Sequence, residues 1–130
     1  MIIGRAGFFR ELPHGLPGGD SLREAVASGG SGYDEEKLLR YLHGNTVLAA
    51  TASMVDDVLD PRWRAVAPLE IVTDGAWVWP RDLAYYVEQY HVAVPLQFVL
   101  QIELHDWVQP DLTADEVDQV EAAFLDPRPD

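Results

Sequence analysis

The 130-residue chain contains no cysteine. That excludes disulfides, thiolate metal sites and a cysteine nucleophile. It is also short of positive charge: nine Lys and Arg stand against 22 Asp and Glu, a formal net charge of −13. A surface this negative repels phosphate backbones, so nucleic acid is not an expected partner. No apolar run approaches the ~20 residues of a membrane-crossing helix. The opening MIIGRAGFFRELP lacks the apolar core of a secretory signal. The expectations are therefore no membrane partner and a cytoplasmic location.

Signatures of catalysis are equally scarce. His14, His43, His91 and His105 are the only imidazoles; no two are spaced i, i+4 and no H-E-x-x-H occurs. Glu103, His105 and Asp106, with His91, are of ligand type for a divalent metal, but their spacing does not make them converge. A histidine closing a helix is the simpler reading, and no metal is expected. None of Ser21, Ser28, Ser31 and Ser53 lies in G-x-S-x-G. Gly29-Gly30-Ser31-Gly32 lacks the lysine of a phosphate-binding loop. No catalytic residue and no cofactor is assigned, and the balance leans against an enzyme.

What is present is architecture. The length suits one domain, organised around Pro68 to Ile102. Leu69–Thr73 and Ala76–Trp79 are β-branched or aromatic runs flanking Asp74-Gly75. That dipeptide predicts a type I′ hairpin pairing Val72 with Trp77 and Ile71 with Val78. One face then carries Leu69, Ile71 and Val78, and the other Val72, Trp77 and Trp79. Both faces are apolar, so a covered ribbon is expected. Pro80 reads as the first residue of a helix with Leu83, Tyr86, Val87 and Tyr90 as its stripe. Pro95 starts another, on which Leu96, Val99, Leu100 and Glu103 align, and the short link predicts that the two helices pack together.

The flanks fill in the rest. Eight of the ten glycines precede residue 33, and residues 1–33 read as a Gly-rich arm with loops laid over the core. Ser21 and Glu24 form a capping box, with a helix ending at Gly29-Gly30. Asp34 caps a helix to His43, stopped by Gly44 or Asn45. Thr46 to Thr51 reads as a strand that can extend to Val55; residues 62–66 fit either a strand or a loop. Thr113 and Glu116 form a second capping box, opening an acidic C-terminal helix and tail over 113–130. The fold class is α+β: a small, mainly antiparallel sheet with a 69–79 hairpin, packed against about four or five helices.

Charge is unevenly spread. Residues 1–33 balance to zero, whereas residues 101–130 hold nine acids and only Arg128. Such a face serves solubility on its own, and it also favours encounter with a basic protein. Asp115, Asp118 and Glu121 are the candidate acids for such a partner, and Tyr85 and Trp107, if exposed, the candidate aromatics. The leading expectation is a non-enzymatic protein-interaction protein. One alternative is a small-molecule-binding protein or enzyme using aromatics around Trp77, Tyr86 and His91, with Glu88. Another is a homo-oligomer held by an exposed hairpin face.

At GFFREL (Gly7–Leu12) and TDGAWVWPRDLAYYVEQYHVAVPLQF (Thr73–Phe98) the chain resembles a family of small uncharacterised actinobacterial proteins. That resemblance implies no activity and no catalytic residue. In size, acidity and α+β pattern the chain is also similar to small acidic immunity proteins that neutralise bacterial toxins, which implies an immunity-like form of the basic-partner expectation.

Overall fold

A computed structural model describes residues 2–30, 33–44 and 46–126. The elements run β1 (Gly4–Arg5), α1 (Leu22–Ser28), α2 (Glu35–Leu42), β2 (Val47–Val55), β3 (Ala67–Thr73), β4 (Trp77–Pro80), α3 (Asp82–Tyr90), α4 (Leu96–Leu104) and α5 (Ala114–Leu125). The four strands form one sheet in the order β1-β4-β3-β2. The class is α+β with five helices. The sheet is mixed and not mainly antiparallel as the sequence implied, because β1 joins β4 in parallel. A sequence reading that follows hairpins misses such a partner: the arm reaches the sheet from far away in the chain, through Gly4 N–H to Ala76 O and Ala6 N–H to Val78 O. Gly4 suits the spot for a plain steric reason. A Cβ there would lie 2.3 Å from the Trp77 indole.

The hairpin forms, two residues out of the expected register: Val72 faces Trp79, not Trp77, and Thr73 faces Val78. The cause is Asp74. Its Oδ1 accepts the N–H groups of Ala76 and Trp77, and its Oδ2 accepts the Tyr41 hydroxyl at 2.5 Å. The aspartate therefore sits before the turn, Gly75-Ala76 forms it, and only Gly75 needs positive φ (+95°). Because the offset preserves the alternation of side chains, the two faces keep the predicted residues.

Both faces of the hairpin are covered. Val72, Trp79 and Trp77 pack with Leu83, Tyr86 and Phe98 beneath the α1–α4 side. Val78 and Ile71 pack with Ile3, Phe8, Val120 and Phe124 beneath α5. Little hairpin face is left for the self-association considered above. Each large apolar side chain so removed from water contributes about 1.5–3 kcal/mol.

Three further expectations change and one open choice is settled. Pro80 closes β4 opposite Ile71 and does not start α3. It is tolerated there because β1 reaches only as far as Val78, so no neighbour asks Pro80 for an N–H. Residues 62–66 are loop, with Trp63 O accepting from Asp57 N–H. Ser21 caps α1, but Glu11 takes the acidic role expected of Glu24, accepting the N–H groups of Leu22 and Arg23 and the Ser21 hydroxyl. Finally, α3 packs chiefly on α2, and α4 buries Phe98, Val99 and Ile102 while Leu96 and Leu100 face solvent. The α5 capping box forms as read, whereas Asn45 and the tail 127–130 lie outside the described residues.

Candidate interaction surface

After Arg81 the sequence runs to Pro127 without a lysine or arginine, and that stretch holds ten carboxylates, −10 of the chain's −13. Eight of them are exposed: Glu88, Glu103, Asp106, Asp111, Asp115, Glu116, Asp118 and Glu121. Among the described residues none of these eight forms an ion pair. Secondary structure places them. The Thr113–Glu116 box starts α5, and burial of Val120 with Phe124 against the sheet turns Asp115, Asp118 and Glu121 outward. The carboxylates are divided between the two sides of the sheet, Glu88 and Glu103 on the α3–α4 side and Asp115, Asp118 and Glu121 on the α5 side, and a surface this negative favours encounter with a cationic partner.

The second component of the surface is apolar. Helix α4 is apolar nearly all round, yet only one side is buried. Leu96, Leu100 and Leu104, spaced i, i+4, i+8, are 66%, 53% and 77% exposed. Gln97 and Glu103 border this stripe on the same exposed side. A helix apolar on every side is ordinarily enclosed; this one is half enclosed.

The two candidate aromatics fall into different environments. Tyr85 is partly buried and its hydroxyl donates to Asp57 Oδ2 at 2.7 Å, beside that of Tyr90 at 2.6 Å. Trp107 is partly buried against the main core, with the Lys37 ammonium 5.9 Å from its ring. The two are not brought together. Asp57 itself was invisible in the sequence as a structural centre. Its buried carboxylate also accepts Leu59 N–H and Asp60 N–H, and Tyr86 Oη accepts Val58 N–H. This fastens the 56–66 loop to α3. Burial, then hydrogen bonding to Asp57, pushes Tyr90 up to about 12 and raises Tyr85 further. The hint lay in Tyr85-Tyr86 and Tyr90, spaced to share one helix side above a loop rich in aspartate.

The small-molecule alternative meets a packed interior. Tyr86 is enclosed, Trp77 packs 5.0 Å from Phe98, and His91 pairs with Glu35 at 2.7 Å. A cleft of about 970 Å³ opens elsewhere, between the N-terminal arm and the end of α5; none of Trp77, Tyr86, Glu88 or His91 lines it. Its cation, Arg5, is occupied, donating to Phe124 O and lying over the Phe124 ring. His14 Nε2 approaches the buried Asp82 Oδ2 at 3.0 Å in poor hydrogen-bond geometry, a contact that ties the 12–19 loop to the start of α3. His43 and His105 close α2 and α4. Among the described residues no three His, Asp or Glu side chains are grouped to hold a metal, and no helix is long and apolar enough to cross a membrane. No protein-family model, curated protein or solved structure matches the chain.

Proposed function

We propose that this chain is a protein-interaction protein that binds a basic protein through its acidic C-terminal half, and that in its most specific form it acts as an immunity-like blocker of such a protein. One observation carries the reading: eight exposed carboxylates between residues 88 and 121, with no Lys or Arg among them in sequence and, among the described residues, no ion pair formed by any of them. A surface rich in charge of one sign speeds encounter with an opposite surface and sets its salt dependence. The enzymatic alternative draws no comparable support from the enclosed aromatics.

The test is capture from native lysate on the immobilised chain, washed at low and at high salt, beside a variant carrying Asp115→Lys, Asp118→Lys and Glu121→Lys. A basic protein held at low salt, shed at high salt and absent from the variant is the expected result. Equal retention on the variant removes the electrostatic reading.

A further inference from the structure

The geometry points to the leucine stripe of α4 as the seat for an amphipathic helical segment of that partner, one that presents leucine-like side chains flanked by lysine or arginine. This inference rests on the acidic-surface reading and adds to it the location and the chemistry of the contact.

Three observations lead there. The first is the stripe itself: Leu96, Leu100 and Leu104 repeat every four residues along one side of α4 and remain largely in solvent. That spacing is what an antiparallel or parallel helix reads when it lies along another, through anchors at i, i+4 and i+8. The second is a recess of about 280 Å³ at the C-terminal end of α4, lined by Gln101, His105 and Val108 with Asp74 in its wall. Gln101 follows Leu100 on the helix, so the recess lies beside the strip, although Leu96, Leu100 and Leu104 do not line it. The third is charge. The exposed carboxylates on and just beyond α4 are Glu103 and Asp106, beside the exposed His105 imidazole; no Lys or Arg lies between Arg81 and Arg128 in the sequence, and Lys37 of α2 sits over the Trp107 ring.

Charge and area together select the occupant. A second copy would bring Glu103 and Asp106 and a further net −13 against their own kind. A stable dimer also needs about 800 Å² from each partner. At about 25 cal/mol per Å² and about 1.5–3 kcal/mol per buried leucine, each such side chain offers roughly 60–120 Å². Being 66%, 53%, 77% and 66% exposed, Leu96, Leu100, Leu104 and Val108 together therefore offer only about a fifth to two-fifths of what a dimer requires. An area that small suits a single helical segment, and Glu103 and Asp106 favour a cationic one.

The experiment uses the full chain and a synthetic 18-residue peptide of leucine and lysine patterned as an amphipathic helix. A second peptide has the same composition, scrambled to remove the apolar side. Affinities are measured by calorimetry, and amide shifts locate the contact. The expected result is binding of the patterned peptide at least about tenfold tighter than the scrambled one, with shifts centred on residues 96–108. Leu100→Ser with Leu104→Ser should abolish that preference while leaving the melting temperature unchanged. Equal binding of both peptides, or an undiminished preference in the double serine variant, overturns the inference. So does a light-scattering mass of twice 14.5 kDa that falls to the single-chain value in the serine variant, which would identify a second copy as the occupant. The two readings fail separately. A lysate partner lost on charge reversal but kept by the serine variant leaves the acidic-surface reading standing and removes the stripe.

Discussion

Helices α3 and α4 are consecutive, both nine residues long, and both contribute to the same core; they treat solvent in opposite ways. Helix α3 buries Leu83, Ala84, Tyr86 and Val87, turns Glu88 and Gln89 outward, and has the hydroxyls of Tyr85 and Tyr90 tied to Asp57. Helix α4 buries Phe98, Val99 and Ile102 and leaves three leucines in water. The difference teaches that apolar content does not decide burial. Tertiary cover does: α3 has α2 on one side and the 56–66 loop on another, while α4 has the sheet beneath it and, among the described residues, no element of this chain over its outer side.

The comparison can be tested where it should matter most. Trp79 lies under both helices, donates Nε1–H to Leu42 O at 2.9 Å and packs with Tyr41 and Phe98. Trp79→Ala should cost about 3–5 kcal/mol in urea unfolding; a loss under 1 kcal/mol would mean that the two helices do not share this core.

Next comes the tether that distinguishes α3. Asp57→Asn should cost about 1–3 kcal/mol, since one amide cannot accept everything the buried carboxylate does. It should also lower the Tyr90 titration from about 12 toward the ordinary value near 10, read by absorbance in alkali. A raised tyrosine pKa means the protonated hydroxyl is favoured by folding, so this contribution is lost as pH climbs through 10 to 12, and the variant should be the less alkali-sensitive protein. An unchanged tyrosine titration would detach Asp57 from its assigned role.

A smaller effect belongs to the other anchored helix, α1. Burial opposes ionisation of Glu11, yet the N–H groups of Arg23 and Leu22 with the Ser21 hydroxyl bring it down to about 2 from 4.5. A depressed carboxylate stabilises above its unfolded pKa, and the benefit disappears as pH falls from 4.5 toward 2. Glu11→Gln should therefore lose stability at pH 7 and show a flatter acid limb; an identical acid limb would contradict the cap.

The smallest change is expected on the open side of α4. Leu100→Ala should stay within about 0.5 kcal/mol of the parent, whereas Ile102→Ala two residues on should cost about 2–5 kcal/mol. Equal costs would show that Leu100 is covered in solution and would erase the contrast between the two helices.

Much of the fold could be read from local signals because local physics produces them. The Thr113–Glu116 box, the Asp34 cap, the Gly29 stop and the face pattern of the hairpin all depend on neighbours within about four residues. What escaped depended on distant ones. The hairpin register followed the Asp74 carboxylate, which is held by Tyr41 from α2. The parallel β1 came from an arm more than 70 residues away. Of the candidate surface, the acids at 115, 118 and 121 were visible as charge. The α4 stripe was misread, since a run apolar on every side offers no periodicity to say which side faces in.

By itself, then, the sequence determined the element types, most of their caps, the two apolar faces of the hairpin and the acidity of the C-terminal half, because these follow from short-range sterics, capping and composition. Only the tertiary structure decided that the sheet is mixed, that Asp57 collects two tyrosines, and that Leu96, Leu100 and Leu104 remain in solvent. Those outcomes depend on which surfaces meet after the chain has closed on itself, and a local pattern carries no record of what will cover it.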